Sequence, residues 1–463
     1  MSVMAVGSNQ LSCRNGSVAM GQRSTSRRVL WALLDQCVIS GGNFATNLIL
    51  ARHLPPSEFG VYVLVLNAIL FANTIHAASV TTPMFIKGAR FDRKQLRRML
   101  TGGLVATLLL SIPNTGILTG ACVSVHRYGL ILPACLALFF WQSQEALRTS
   151  FIAHMDQRRA IAGDAISYLG QAFLIFAMFQ MFVPTNSMIF VVIAATSLLG
   201  GCTQFAQLPP SSIDRSALRH MLGEMWLMGR WNILARILGF FTALAFPWVI
   251  LIHHGTIEVA GFQSIVQMLT LTNPLTFSLG SLITASIAGS KDRSISHAKP
   301  YIALIAGIVG AYLVCLSATG TLAFRLFYGH TSPYVVYAPL LRAFTLAWAL
   351  DVIGLIASTV LTGREQMREL FQVQGCGAIV AILIAFPWIY ISGVSGAVYA
   401  LIVVNGLRAA YAVALLLSQS QSSITIESRS SRFSLVGRWR TAGLDSLSGE
   451  SKKSKGPFPK VFP

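Results

Sequence analysis

Residues 35–66 read DQCVISGGNFATNLILARHLPPSEFGVYVLVL. Two apolar runs meet here at Leu54-Pro55-Pro56. Proline fixes φ and has no amide proton, so one helix stops before the pair and another can start on it. The first run begins near Val29 and the second extends to about Pro83. Each is long enough to cross roughly 30 Å of hydrocarbon. The short turn makes the two an antiparallel helical hairpin. Membrane β-strands are excluded, because they run about ten residues and alternate polar with apolar positions.

The pattern repeats along the 463 residues. Apolar runs fall at 29–51, 60–83, 99–119, 128–149, 160–182, 186–207, 221–250, 258–289, 300–323, 337–361, 370–391 and 394–417. Composition agrees. Charged residues make up 11% and hydrophobic ones 54%, against about 25% charged in a soluble domain. Such a chain cannot cover a soluble globule, and it is too apolar to be disordered. The net charge of +19 would invite a nucleic-acid reading. A nucleic-acid binder, however, carries its basic residues in dense stripes on a polar chain, so no nucleic-acid partner is expected.

The basic residues report topology instead. Lys87, Arg90, Arg93, Lys94, Arg97 and Arg98 follow the second run. Arg148, Arg158 and Arg159 follow the fourth, and Arg215 and Arg219 the sixth. Lys291, Arg293 and Lys299 follow the eighth, and Arg364 and Arg368 the tenth. With four Arg before residue 29 and eight Lys or Arg after 417, 28 of the 35 basic residues lie on one side. The opposite connections hold only Arg52, Arg127 and Arg325. The expected fold is all-α and integral to the membrane, with about 12 transmembrane helices and both termini cytoplasmic. No cleavable signal precedes the first run, and the predicted site is the bacterial inner membrane.

The predicted organisation is a cytoplasmic N-tail at 1–28, an N-lobe at 29–207 and a cytoplasmic linker at 208–220. A C-lobe at 221–417 and a basic, Ser-rich tail at 418–463 follow, the tail reading as disordered. The two lobes look related. Glu58 follows the first hairpin turn and Glu258 the turn after the seventh run, with Gly60 and Gly261 close behind. Basic inner loops come next in both halves. Two parallel six-helix halves around a central cavity are an arrangement that some transporters use.

Polar stripes cross several runs. Gln36, Ser40, Asn43 and Asn47 recur at helical spacing in the first run, and Gln263, Gln267 and Thr270 in the eighth. Asn67, Thr74 and Thr81 recur at sevens in the second. Facing lipid unpaired, each such group costs a few kcal/mol, so they line a wet cavity or bond to neighbouring helices. The intramembrane charges are Asp35, Arg230, Arg236, Arg342, Asp351 and Arg408. Each costs about 2.5–3.5 kcal/mol at a helix centre and so needs a use or a partner. Arg342 and Asp351, nine apart, lie on opposite faces of one helix. Guanidinium groups stay charged and donate paired hydrogen bonds, which suits a diphosphate. Asp35 and Asp351 are candidates for ion coupling, with H+ and Na+ both open.

The stretch Asp35 to Leu66 resembles the opening of the Wzx-type polysaccharide and lipid-linked oligosaccharide flippases. These form the polysaccharide-transporter branch of the multidrug/oligosaccharidyl-lipid/polysaccharide exporter superfamily. The marks are a polar first helix ending in Ala-Arg, a Leu-Pro-Pro turn, then Ser-Glu-Phe-Gly-Val-Tyr. The segment from Arg230-Trp231-Asn232 to Ala245-Phe246-Pro247-Trp248 resembles the start of that family's second half. The resemblance implies two lobes rocking between inward-open and outward-open states. It also implies a polyprenyl-diphosphate-linked oligosaccharide or exopolysaccharide precursor as substrate. Membrane lipids and other polysaccharide-assembly membrane proteins are the implied partners.

No catalytic residue, cofactor or metal site is expected. No HExxH, P-loop or GxSxG pattern occurs, and the seven cysteines include no CxxC. A drug/cation antiporter of the same superfamily is the nearest rival, disfavoured by an Arg-bearing cavity. A membrane glycan polymerase or ligase is disfavoured by the short outer connections.

Overall fold

The computed structural model describes residues 9–88, 91–154, 156–242, 244–288, 290, 294–364 and 366–444. Among these the regular elements are all helical. The hairpin of residues 35–66 forms as read. α1 (Asn9–His53) ends before the Pro pair and α2 (Pro56–Gly88) starts on it. α3 (Arg93–Ser124), α4 (Tyr128–Ala153), α5 (Gln157–Met181) and α6 (Asn186–Gln207) complete the first half. α7 comprises Arg215–Thr242 and, after a turn, residues 246–254. α8 covers 256–288, α9 Lys299–Tyr328 and α10 Pro333–Gly363. α11 covers 367–392 and α12 begins at 394.

Among the described residues nine helical stretches are long and apolar enough to cross a membrane. Two of them, Phe246–Thr284 and Arg368–Ser418, contain a sharp reversal, at Gly255 (φ 84°) and Gly393 (φ 56°). Only glycine takes such angles without steric cost. The reversals separate α7 from α8 and α11 from α12. With α1 and the first part of α7, the chain makes twelve transmembrane helices. The fold is all-α, in two lobes.

Two segments differ from the expectation at their ends. α1 starts at Asn9 rather than near Val29. At 1.5 Å per residue its 45 residues span about 68 Å, so its Arg-bearing start stands beyond the hydrocarbon. Contacts divide the chain into a body, Met1–Ala412, and a terminal unit, Val413–Pro463. In the second unit the helix continues to Leu444, where the sequence reads as disordered from 418. Residues 445–463, and the loop positions Arg90, Lys291 and Arg293, lie outside the described residues.

Within the first half α4 packs on α6 and α3, and α1 on α5. Within the second, α10 packs on α8 and α9, and α7 on α11. Small residues allow the closest approaches, as in other membrane bundles. A Cβ at Gly42 would stand 2.7 Å from Tyr168 backbone, and one at Gly200 2.5 Å from the Gly163 carbonyl. The repeat predicted from Glu58 and Glu258 is visible. Glu58 accepts from Arg127, just before α4, while Glu258 shares a hydrogen bond with Tyr337, early in α10.

The halves touch at both ends. At the outer end Arg52 donates to the carbonyls of Leu326 (2.8 Å) and Phe327 at the close of α9. Gly60 of α2 lies against Thr256 of α8. At the inner end Lys87 pairs with Glu224 of α7. Met225, with Met221 and Leu222 beside it, packs among Met84, Leu96, Met99 and Phe151 of the first half. α7 therefore bridges the two halves, although the sequence boundary at 221 assigns it to the second. The linker before it is tied to α3, with Arg97 donating to the Pro209 carbonyl (2.7 Å) and Thr101 to that of Ser211 (2.6 Å). Asp214 then caps α7; the Ser216 hydroxyl and the Ala217 amide hold its carboxyl below the usual range.

The outer contact gives a direct prediction. A Cβ at Gly60 would stand 2.0 Å from the Thr256 carbonyl oxygen. Gly60→Val is expected to hold the outer ends apart. A cysteine placed at Thr256 should then react severalfold faster with a membrane-impermeant maleimide. Unchanged labelling would mean that α2 and α8 do not close the outer side.

Candidate functional site

The charges of the N-lobe converge on one guanidinium. Arg148 donates through Nη2 to Asp35 of α1 (2.8 Å), through Nε to Asp164 of α5 (3.0 Å) and through Nη1 to Glu145 on its own helix (3.0 Å). Gln144 and Gln204 each donate to the other Asp164 oxygen, at 3.2 and 3.1 Å. Arg148, Asp35 and Asp164 are buried. The close approach of α1 to α5 at Gly42 brings the two aspartates within reach of the same arginine. Three carboxylates around one cation leave excess negative charge, and like charges at this range disfavour full ionisation. Asp35 Oδ1 is buried without a hydrogen-bond partner. The arrangement can take up one further positive charge.

Arg148 also corrects the sequence reading. Counted there with the inner loop, it is a buried residue of α4. Glu145 and Asp164, read as flanking a locally salt-bridged loop, belong to the same network. A signal existed, since Glu145 and Arg148 both fall inside the apolar run 128–149 at a spacing of three.

The C-lobe has a smaller counterpart. Arg408 of α12 pairs with Asp351 of α10, and its Nη1 lies 3.4 Å from the Thr242 hydroxyl. The hydroxyl is at the end of the first part of α7, and Gly377 of α11 leaves room for the arginine stem. Asp351 thus pairs with Arg408 and, as its helical spacing requires, not with Arg342. Arg342 is exposed near the outer end of α10.

Arg236 stands near the middle of α7, about 30 Å along the helix from its start. Gly229, Arg236 and Phe240 lie on one face, being seven and four apart. Both flanking residues touch α2. Gly229 lies against Ser79, and the Phe240 ring is 4.5 Å from that of Phe71. Arg236 therefore faces the seam between the lobes, and its side chain is accessible there. Among the described residues it has no ion-pair partner. Arg230 lies on another face, with exposed Trp226 and Leu234 four residues either side.

The polar stripes divide. Gln36 and Ser40 are half-buried. Asn43 lines a water-sized void of about 10 Å³ with Trp141, Tyr168 and Gln171. Asn47 is buried and donates to the Asn43 carbonyl (2.9 Å). Gln267 is buried and donates across the lobes to the Phe44 carbonyl of α1 (3.3 Å), while Thr270 donates to Gln267 (2.7 Å). The structure thus joins α1 to α8 through Gln267 and brings Asp35, but none of the predicted arginines, into the N-lobe cluster.

No protein-family profile matches the chain, and no curated protein matches it. Solved structures do. An inward-facing multidrug resistance MATE family transporter of the MOP superfamily aligns with a TM-score of 0.62 at 14% identity, over 89% of this chain and 96% of that one. The lipid II flippase MurJ, in an inward closed conformation, aligns with a TM-score of 0.62 at 11% identity, over 86% and 87%. A MOP superfamily transporter from Pyrococcus furiosus, described as having a binding pocket of reverse polarity, gives 0.57 at 16%, over 86% and 95%. The chain has the fold of the MOP-superfamily transporters, and it is a multi-pass membrane protein.

Proposed function

We propose that the protein flips a polyprenyl-diphosphate-linked oligosaccharide, or an exopolysaccharide precursor, across a bacterial inner membrane by alternating access. Both termini would then be cytoplasmic. The observation that carries this is Arg236, an accessible guanidinium half-way along α7 at the seam between the lobes. Such a group attracts a diphosphate and repels an organic cation. The polyprenyl tail stays in lipid while the headgroup enters the seam. Similarity to MurJ supports a lipid-borne substrate, and the sequence resemblance to Wzx-type flippases supports a glycan on it. The neighbours being transporters accords with a protein that makes and breaks no covalent bond.

Coupling is assigned to the Asp35 cluster. Its excess carboxylate charge suits uptake of a proton, and the Arg148 guanidinium at its centre opposes a second fixed cation such as Na+. Asp351, already neutralised by Arg408, is the weaker candidate.

Ligand-induced thermal stabilisation tests the substrate class. The purified protein should be stabilised by a short polyprenyl diphosphate and not by tetraphenylphosphonium. The reverse order would favour a drug/cation antiporter.

A further inference from the structure

We propose that a cavity between the inner ends of α2 and α4 seats one uncharged sugar ring of the glycan; this rests on the glycan reading above. The cavity has a volume of about 230 Å³ and is lined by Thr81, Thr82, Phe85, Thr149 and Ile152. That is the space of several waters at about 30 Å³ each. α1 and α2 part below their shared outer turn. α1 goes to α5, while the inner end of α2 packs on α4 and α7. The cavity lies on the inner half of α2, where the chain passes through a π-turn at Ala77–Thr81. Single π-turns inside α-helices recur at functional sites.

The lining selects the ligand chemistry. A threonine hydroxyl has one proton to give and two lone pairs to offer. Thr149 gives its proton to the Glu145 carbonyl (2.7 Å) and Thr81 to that of Ala77 (3.4 Å). Both oxygens therefore face the cavity as acceptors. A diphosphate, all acceptors, has nothing to donate to them. A sugar ring brings several hydroxyl donors. Phe85, 47% exposed, offers the electron-rich face of its ring to sugar C–H groups. No charged side chain lines the cavity. The neighbouring Arg148 is committed to Asp35, Glu145 and Asp164, so neither an anion nor an organic cation finds a free counter-charge. The headgroup would then divide, its diphosphate at the Arg236 seam and its first sugars against α2 and α4.

The test compares two probes on the purified full chain. One is a polyprenyl diphosphate carrying an uncharged disaccharide, the other the same lipid without sugar. The wild type should bind the glycosylated lipid about tenfold more tightly. Phe85→Ala removes the exposed ring, and Thr149→Val keeps the buried shape while removing the acceptor. Both should abolish the preference and leave affinity for the bare lipid unchanged. Size-exclusion profiles check that the variants fold. Two variants that keep the tenfold preference, or a wild type without one, would overturn the sugar seat and leave the transporter reading intact. A wild type that binds neither lipid would overturn the substrate reading, and the seat with it.

Discussion

Arg148→Ala is expected to abolish accumulation of folded protein. The substitution leaves Asp35, Asp164 and Glu145 around an empty place with no cation. The first two are fully buried, with 2% and 0% of their side-chain surface exposed. Breaking a buried ion pair by removing one partner costs about 3–5 kcal/mol, a large part of a typical stability of about 5–15 kcal/mol. Lysine is not expected to rescue, because a point charge cannot donate along three directions as the guanidinium does. Asp35→Asn combined with Arg148→Gln should recover part of the loss, since it removes charge from both sides. The readout is the monodisperse fraction and melting temperature of detergent-solubilised protein. An Arg148→Ala variant as stable as wild type would show that the cluster is solvated or protonated well enough to stand alone.

Arg236→Ala is expected to have the largest effect on transport with little effect on stability. The residue is accessible and without an ion-pair partner among the described residues, so its removal strands no buried charge. A hydrogen bond to a charged group contributes about 1.5–3 kcal/mol. Losing it should weaken diphosphate binding about 10- to 100-fold. Arg236→Lys keeps the charge but not the paired donors, and should fall between. Initial flipping rates in proteoliposomes, at matched protein density, measure this. Full activity of the alanine variant would remove Arg236 from the substrate path.

Much of the fold was legible because bilayer thickness and backbone satisfaction leave few choices. The Leu54-Pro55-Pro56 turn, the basic inner loops and the Glu58/Glu258 register all reappear in three dimensions. The partners of buried charges were less legible. Helical spacing excludes contacts, as it did for Arg342 with Asp351, but it cannot say which face meets which neighbour. Arg408 reaches Asp351 across two helices, and Asp35 meets Arg148 at a separation of 113 residues. Arg148 looked topological because positive charge near a helix end is ordinarily a loop signal. Gln267 and Asn47 follow cavity-like spacing yet are consumed by helix contacts, which one-dimensional periodicity cannot distinguish from a wet face. Arg236 is the opposite case. Its depth was readable, and the structure adds that its face lies toward α2.

The most direct measurement is the leaflet distribution of lipid-linked glycan in cells depleted of this protein. The account predicts that the glycan accumulates on the cytoplasmic leaflet and that wild type, but not Arg236→Ala, restores its export. An unchanged distribution on depletion, with export continuing, would contradict it.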